Sequence, residues 1–266
     1  DLIAKPAEKS KPWHDYRKIF VTRSRAQKGL AFWRKHRDTL ARAEKEYGVP
    51  AEVVVAIIGV ETRYGQHTGS HRVMDALATL AFDYPKRATF FRKELKHFLL
   101  LTREQQQDPL SLKGSYAGAM GYGQFMPSSY RAYAVDFDGD GRVDIWHNPV
   151  DAIGSVANYF KRHGWRAGEA VVAAAKVTAD HDPKLLNGKL KPALSRAALA
   201  RQGISAEHPG SADMLATAMK LKGDQGAEYW LGLPNFYVIT RYNHSRLYAM
   251  AVHQLSQAIK ALEQDS

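Results

Sequence analysis

Two acidic features of this sequence could support chemistry. The first is one glutamate, Glu61, which follows the apolar stretch 53–60 and a proline at position 50. Proline suits the first turn of a helix, and a helix that is apolar on every side is buried. Burial keeps a carboxyl group protonated near neutral pH, as a general acid requires. The alternative is a helix-end glutamate that turns to solvent or pairs with Arg63 or Arg72, so this segment alone decides nothing.

The second group is DFDGDGRVD at residues 136–144, which resembles the start of an EF-hand calcium loop. Gly141 supplies the turn glycine, but His147 stands where an EF-hand has a bidentate glutamate, and Asp151 could close a longer loop. A plain Asx-rich turn is the alternative, although clustered carboxylates repel each other without a cation. The pattern therefore predicts a structural Ca²⁺ held by Asp136, Asp138, Asp140 and the carbonyl of Arg142, with the closing ligand left open.

Composition and charge limit the class of protein. A hydrophobic fraction of 45% and a charged fraction of 24% are ordinary for a globular chain. The apolar stretch 53–60 is far shorter than the ~20 residues that cross a bilayer. The absence of cysteine excludes disulfides, thiolate metal sites and a cysteine nucleophile. The net charge of +11 would attract a polyanion such as nucleic acid, an anionic membrane or an acidic cell-wall polymer.

Helical periodicity dominates the first part of the chain. After a loosely held arm over residues 1–17, we expect two amphipathic helices between residues 16 and 47. Further helices are expected at 74–82, 87–104, 128–135 and 149–163. Between residues 167 and 227, prolines, glycines and short alternating stretches predict a small α+β insertion with a few antiparallel strands.

Two further segments have the composition of a ligand-binding surface. Residues 113–127, KGSYAGAMGYGQFMP, are rich in glycine but match neither the dinucleotide fingerprint nor the phosphate loop. We interpret them as a substrate-lining loop, with glycines that pack between helices as the alternative. Residues 229–252 combine aromatic side chains with Asn, His and Ser, a mixture that suits carbohydrate, and lead into a final helix.

Five stretches of the sequence, taken in order, resemble the B-type lytic murein transglycosylases. They are GVETRYG at 59–65, ALATLAF at 76–82, GSYAGAMGYGQFMPSSY at 114–130, DAIGSVANYF at 151–160 and ITRYNHS at 239–245. The resemblance implies a mainly α protein with a lysozyme-like helical core, an EF-hand-like calcium loop, a helical accessory domain and a small α+β insertion.

We expect the chain to divide into four parts. We expect an N-terminal arm and helical accessory region at 1–45, and a lysozyme-like catalytic core with the calcium loop at 46–166. The α+β insertion would occupy 167–227. The aromatic segment and C-terminal helix at 228–266 would complete the core and the helical region.

The implied reaction is cleavage of the β-1,4 bond between N-acetylmuramic acid and N-acetylglucosamine, which leaves a 1,6-anhydromuramoyl end. Glu61 would be the single catalytic acid and base, and Arg87 would contact the stem peptide. In the family the closing calcium ligand lies one residue nearer the loop start, which leaves it open between Asp151 and the region of His147. The glycan cleft would be lined by Ser115, Gln124, Tyr159, Tyr242, Asn243 and Tyr248.

A single carboxylate changes the expected mechanism, because most glycosidases use two. Without a second acid the substrate must supply the nucleophile, although Asp75 and Asp83 are alternatives for such an acid. We expect a structural Ca²⁺, no organic cofactor and no nucleic-acid partner. We also expect a monomer in the bacterial periplasm, either free or held by an outer-membrane lipid anchor outside this sequence. The alternatives are a hydrolytic muramidase of the same fold and a non-catalytic peptidoglycan-binding protein.

Overall fold

The structure, a computed structural model, describes residues 10–207 and 210–265. The described residues divide into two compact units. One unit consists of Ser24–Arg162 with the residues from Ile259 onward, and we call it the Glu61 unit. The other consists of the described residues up to Arg23 with His163–Ala258, and we call it the sheet unit.

The Glu61 unit is helical. Its central helix, α4, is apolar around its whole circumference, and every residue of it except Glu61 is buried. Helix α5 packs against α6, while α3 and α4 both pack against α8. The bounds are α2 Arg23–Lys35, α3 Arg37–Tyr47, α4 Ala51–Thr62, α5 Val73–Asp83, α6 Ala88–Glu104, α7 Pro127–Tyr133 and α8 Pro149–Arg162.

The glycine-rich segment of this unit folds as an irregular β structure. Strand β1, His71–Arg72, pairs antiparallel with β2, Lys113–Gly114. Single bridges then join Gly114 to Met120 and Met120 to Phe125. The segment is therefore held close to the residues that follow helix α4.

The sheet unit confirms the predicted mixture of strands and helix. A four-stranded sheet in the order β3-β8-β7-β5 lies beside a two-stranded sheet of β4 and β6. Its buried core is formed by Leu199, Ile204, Ala216, Ala218, Leu231 and Leu233. The strands are β3 Val172–Ala174, β4 Lys176–Val177, β5 Leu194–Ser195, β6 Ile204–Ser205, β7 Leu215–Gly223 and β8 Gly226–Gly232.

The helices of the sheet unit include a short one whose N-cap, Ser195, accepts a hydrogen bond from the Ala198 N–H. The helices are α1 Trp13–Phe20, α9 Arg196–Arg201, α10 Pro234–Tyr242 and α11 Arg246–Gln264. The last turn of α11 belongs to the Glu61 unit. None of the helices in the described part of the chain is both long and apolar enough to cross a membrane.

The beginning of the chain departs from expectation. The predicted arm over residues 1–17 is wrong from Trp13 onward, because Trp13–Phe20 is a helix, and residues 1–9 lie outside the described part. Trp13 and Tyr16 are buried, and the Trp13 indole N–H donates to a Glu228 carboxylate oxygen at 3.3 Å. The prediction of two helices between 16 and 47 is also wrong: there are three, with a break at His36 between α2 and α3.

Candidate active site and calcium loop

Glu61 lies in the last turn of helix α4, at the point where this buried helix reaches the surface. The helix is enclosed as predicted, but the Glu61 side chain is only half-buried and is therefore open to a ligand. The helix ends at Thr62, and Arg63 already takes the left-handed conformation. Arg63, Tyr64 and Gly65 have φ values of 50°, 62° and 84°. A non-glycine residue costs roughly 1–3 kcal/mol in this conformation, so the turn after Glu61 is strained.

Thr62 ties the end of the helix to the glycine-rich segment. Its hydroxyl donates to the Tyr122 carbonyl at 2.8 Å and accepts the Gly65 N–H at 3.0 Å. A Cβ atom at Gly65 would lie 2.2 Å from the Tyr122 ring, so only glycine fits there. The residue next to Glu61 is thus fixed from two sides.

Ser115 has an unusual hydrogen-bonding arrangement. Its Oγ accepts the N–H groups of Ala117 and Ala119, at 3.2 and 3.0 Å. An oxygen that accepts two such bonds keeps its own O–H as a donor. The half-buried Ser115 hydroxyl can therefore donate to a ligand acceptor such as a carbonyl oxygen.

Gln124 offers a hydrogen-bond acceptor, whereas Ser115 offers a donor. Its side-chain amide nitrogen donates to the carbonyls of Thr68 and Gly121 at 3.1 and 2.9 Å. Both amide hydrogens are used in this way, which leaves the side-chain oxygen as the group that can accept a hydrogen bond from a ligand. Gln124 itself has a φ of 53°, so its backbone is also held in a left-handed conformation.

The glycines of this segment are explained by packing. A Cβ atom would lie 2.3 Å from the Ala119 carbonyl at Gly114, 2.4 Å from Leu77 at Gly118 and 2.3 Å from the Ile145 carbonyl at Gly121. The alternative interpretation from the sequence is therefore supported at these positions. The polar side chains of Ser115 and Gln124, rather than the glycines, are the groups available for recognition.

Tyr159 and Arg87 occupy different surroundings in the same unit. Tyr159 is only 7% exposed, and its ring packs against those of Phe125 and Tyr133 at centroid distances of 5.8 and 5.0 Å. Arg87 is exposed in the turn between α5 and α6, with its guanidinium 4.3 Å from the Phe90 ring centroid. Tyr159 therefore supports the glycine-rich segment through Phe125, whereas Arg87 is free to meet a ligand of its own.

The remaining predicted glycan contacts belong to the sheet unit. Tyr242 is the last residue of α10, and the extended Asn243 follows it; both are half-buried. Tyr248 is buried in the first turn of α11, where its N–H donates to the Ser245 hydroxyl at 3.2 Å.

The alternative acids both lie on helix α5 and are exposed. Asp75 is in its first turn, 3.6 Å from Arg72, and Asp83 is its last residue. Both aspartates therefore lie at the surface of helix α5 rather than at the end of the buried helix α4.

The acidic loop brings three of the predicted ligands together. Carboxylate oxygens of Asp136, Asp138 and Asp151 lie within 4.8 Å of one another, and Asp151 is 0% exposed. Burial raises the pKa of Asp151, while hydrogen bonds from the backbone of Asp144 and Phe137 oppose that rise. Oxygen ligands at this separation, including one that is buried, fit a hard cation such as Ca²⁺.

Other residues of the loop have different contacts. The Asp140 carboxylate accepts the Arg142 N–H at 2.8 Å and does not belong to the group of three. His147 has an 84% exposed side chain, and its Nδ1 lies 3.4 Å from Asp144. Between the two candidates for the closing ligand, the geometry therefore favours Asp151.

Sequence reasoning overlooked two residues that contact the segment around Glu61. The Arg25 guanidinium donates to the Gly59 carbonyl at 2.8 Å, and the Tyr64 hydroxyl donates to the Arg25 carbonyl at 2.7 Å. The sequence carried one sign of this arrangement. Gly29 and Gly59 lie inside helices, although alanine has the higher helix propensity.

The helical fold around the buried helix α4, which ends in a half-buried acid, is that of a lysozyme-like enzyme. The family model described as transglycosylase SLT domain matches residues 1–257, and the chain belongs to this family. It is a lytic transglycosylase that acts on peptidoglycan, and its mainly α fold and family are those predicted from the sequence.

Three similar proteins illustrate the relationship. The membrane-bound lytic murein transglycosylase B of Escherichia coli K12 is 54% identical over 258 residues, 97% of this chain and 70% of that protein. The crystal structure of soluble lytic transglycosylase SltB1 from Pseudomonas aeruginosa has a TM-score of 0.94 and 59% identity, covering 98% of this chain and 87% of that one. Escherichia coli Slt35 in complex with calcium has a TM-score of 0.88 and 53% identity, covering 96% of this chain and 80% of that one.

Proposed function

We propose that Glu61 is the single acid and base with which this enzyme cleaves the β-1,4 bond between N-acetylmuramic acid and N-acetylglucosamine. The product would carry a 1,6-anhydromuramoyl end. The observation that carries the proposal is the position of Glu61, the one partly exposed residue of the otherwise buried helix α4. Helix α4 offers one partly exposed carboxyl group, which supports a mechanism with a single acid.

The proposed reaction has two steps and needs no water. Protonated Glu61 gives its proton to the glycosidic oxygen, while the carbonyl oxygen of the muramoyl 2-acetamido group bonds to C1 and the leaving sugar departs. The Glu61 carboxylate then takes the proton of the O6 hydroxyl. O6 bonds to C1, the acetamido oxygen leaves C1, and Glu61 is again protonated for the next cycle.

The polar groups around Glu61 suggest how the sugar would be held. The Ser115 O–H is a free donor suited to the acetamido carbonyl, and the Gln124 side-chain oxygen is an acceptor suited to a sugar hydroxyl or N–H. We propose Asn243, Tyr242, Tyr248 and Tyr159 as further glycan contacts, as the family resemblance implies. The exposed Arg87 would meet a carboxylate of the stem peptide.

We also propose that the acidic loop binds a structural Ca²⁺, as an EF-hand-like site. Asp136, Asp138 and Asp151 would supply carboxylate ligands, and Asp140 and the Arg142 carbonyl would complete the set. Support comes from the convergence of the three carboxylates and from the similar Slt35, whose structure contains calcium. The ion would hold together the loop that precedes helix α8, which carries Tyr159.

The family and its substrate suggest where the enzyme acts. We propose the periplasm, where peptidoglycan is accessible, with the enzyme either free or held by a lipid. The positive charge of +11 suits a polymer that carries muramoyl and peptide carboxylates. We retain the four-part division 1–45, 46–166, 167–227 and 228–266 as a proposal, and note that strand β8 runs through the boundary at 227.

Digestion of purified sacculi tests the central proposal. Glu61→Gln should lower turnover by at least ~10²–10⁴-fold while glycan binding persists, because a positioned acid contributes about that much. Glu52→Gln is a matched control, since Glu52 is a buried glutamate of the same helix that pairs with Lys260 at 2.9 Å. It should remain active at temperatures where it is folded.

The products distinguish the alternatives. Mass spectrometry should find anhydro ends, which lack one water relative to the reducing ends that a hydrolytic muramidase would leave. Reducing ends would refute the O6 step, near-normal turnover by Glu61→Gln would refute the role of Glu61, and no cleavage by the wild type would indicate a binding protein.

A further inference from the structure

Arg25 contacts the chain on both sides of Glu61. Its guanidinium donates to the carbonyl of Gly59, two residues before Glu61, at 2.8 Å. Its own carbonyl accepts the hydroxyl of Tyr64, three residues after Glu61, at 2.7 Å. One residue of helix α2 therefore joins the last turn of helix α4 to the strained turn that follows it.

The Tyr64 ring fits this position because two glycines leave space for it. A Cβ atom at Gly59 would lie 2.6 Å from the ring, and one at Gly29 would lie 2.6 Å from the Tyr64 hydroxyl. Glycine costs about 1 kcal/mol relative to alanine inside a helix. The ring centroid of Phe32 lies 5.8 Å from that of Tyr64. Helices α2 and α4 are thus shaped around this side chain.

Electrostatics favour the same arrangement. Arg25 is only 9% exposed, and burial, together with the nearby Arg63, lowers its pKa. Burying a cation is costly unless it is well paired. A carbonyl near the C-terminus of a helix is a favourable partner, because the helix dipole is negative there. Burial also raises the pKa of Tyr64, so its hydroxyl remains a proton donor.

We propose that Arg25 and Tyr64 are positioning residues, which hold the Glu61 carboxyl where it can exchange protons with the sugar. This inference rests on the proposed catalytic role of Glu61. Left-handed Arg63 and Tyr64 store strain next to Glu61, and strained backbone persists only where its surroundings hold it in place. Without the two hydrogen bonds the turn can relax and carry the carboxyl with it. A displacement of about 1 Å can cost ~10²-fold in rate.

Conservative variants test the proposal. Tyr64→Phe keeps the ring and removes the hydroxyl, while Arg25→Met keeps much of the side-chain length and removes the donor. Each should lower kcat about 10-fold or more and leave KM within about twofold, because glycan-binding groups are untouched. Arg25→Lys, which retains a donor for the Gly59 carbonyl, should recover much of the activity.

Tyr130→Phe is the matched control. The Tyr130 hydroxyl donates to the Val143 carbonyl at 2.7 Å, and Tyr130 is 4% exposed in the same unit. Its loss should lower the melting temperature about as much as Tyr64→Phe and leave kcat unchanged. Turnover is measured well below the melting temperature of every variant, and Glu61→Gln is assayed beside them.

The outcomes separate the two proposals. Wild-type kcat in Tyr64→Phe and Arg25→Met, with Glu61→Gln inactive, would overturn the positioning role alone. An equal fall of kcat in Tyr130→Phe would show a general effect of stability and would also overturn it. Activity in Glu61→Gln would overturn the proposed function itself.

Discussion

Mild acid should destabilise this protein through His253 on helix α11. Burial lowers the pKa of His253 from its ordinary 6.5 to about 4, and its Nδ1 has no hydrogen-bond partner among the described residues. The folded state therefore resists protonation, whereas the unfolded chain takes up a proton near pH 6.5. The stability due to this difference is complete above pH 6.5 and is lost as the pH falls toward 4.

The size of the effect follows from the pKa difference. Each pKa unit corresponds to about 1.4 kcal/mol, so lowering the pH from 7.5 to 5 should cost about 2 kcal/mol of unfolding free energy. For a chain of this size that is a fall of about 4–8 °C in the melting temperature. His36, whose pKa burial and Lys35 also lower, should add to the fall in the same direction.

Thermal unfolding at several pH values provides the assay. In His253→Leu the melting temperature should depend less on pH between 7.5 and 5, whatever its absolute stability, because the group that takes up the proton is gone. His67→Leu removes an exposed histidine and should keep the wild-type dependence. An unchanged pH dependence in His253→Leu would refute the reasoning.

Three further predictions concern the acidic loop, the turn after Glu61 and the Ser115 hydroxyl. Calcium at about 100 times its dissociation constant should stabilise the protein by about 2.7 kcal/mol. Calorimetry with and without a chelator measures this stabilisation. Asp151→Asn should abolish most of the stabilisation by calcium. Gly65→Ala should lower both stability and kcat, since its Cβ would strike the Tyr122 ring and its φ is 84°; an unchanged melting temperature and kcat would contradict the described turn. Ser115→Ala should lower kcat by about 10-fold or more while Ser111→Ala, an exposed serine of the preceding loop, should not; equal effects would argue against a specific role for the Ser115 hydroxyl.

The spacing of apolar residues predicted the helices well where a local run of apolar side chains determines which residues are buried. The apolar surface of α4 and the stripes of α5, α6 and α8 were each visible in the sequence, and the structure confirms all four within a few residues. The start of helix α1 was missed because Trp13 is buried in the sheet unit, and its hydrogen-bond partner Glu228 lies more than 200 positions away. Contacts over such separations leave no local pattern to detect.

The sequence pointed to the candidate site but not to the residues that support it. Glu61 was recognisable as a lone acid after a buried helix and the acidic loop from its spacing, and the catalytic role and the bound ion stay predictions. Arg25 was not, because it lies among other basic residues of α2 and its partners are backbone carbonyls. The choice of Asp151 over His147 likewise required coordinates, since it depends on which side chain points back into the loop.

The hydrogen bonds of Asp151 bear on how quickly the loop would exchange the proposed calcium ion. Its two oxygens accept the N–H groups of Phe137 and Asp144, at 2.7 and 2.8 Å, so one buried side chain clamps the loop near both of its ends. We expect a loop clamped in this way to keep its shape without a cation. A calcium ion bound as proposed would then depart and return without a refolding step, and its rate of recapture would be set by diffusion and dehydration of the ion.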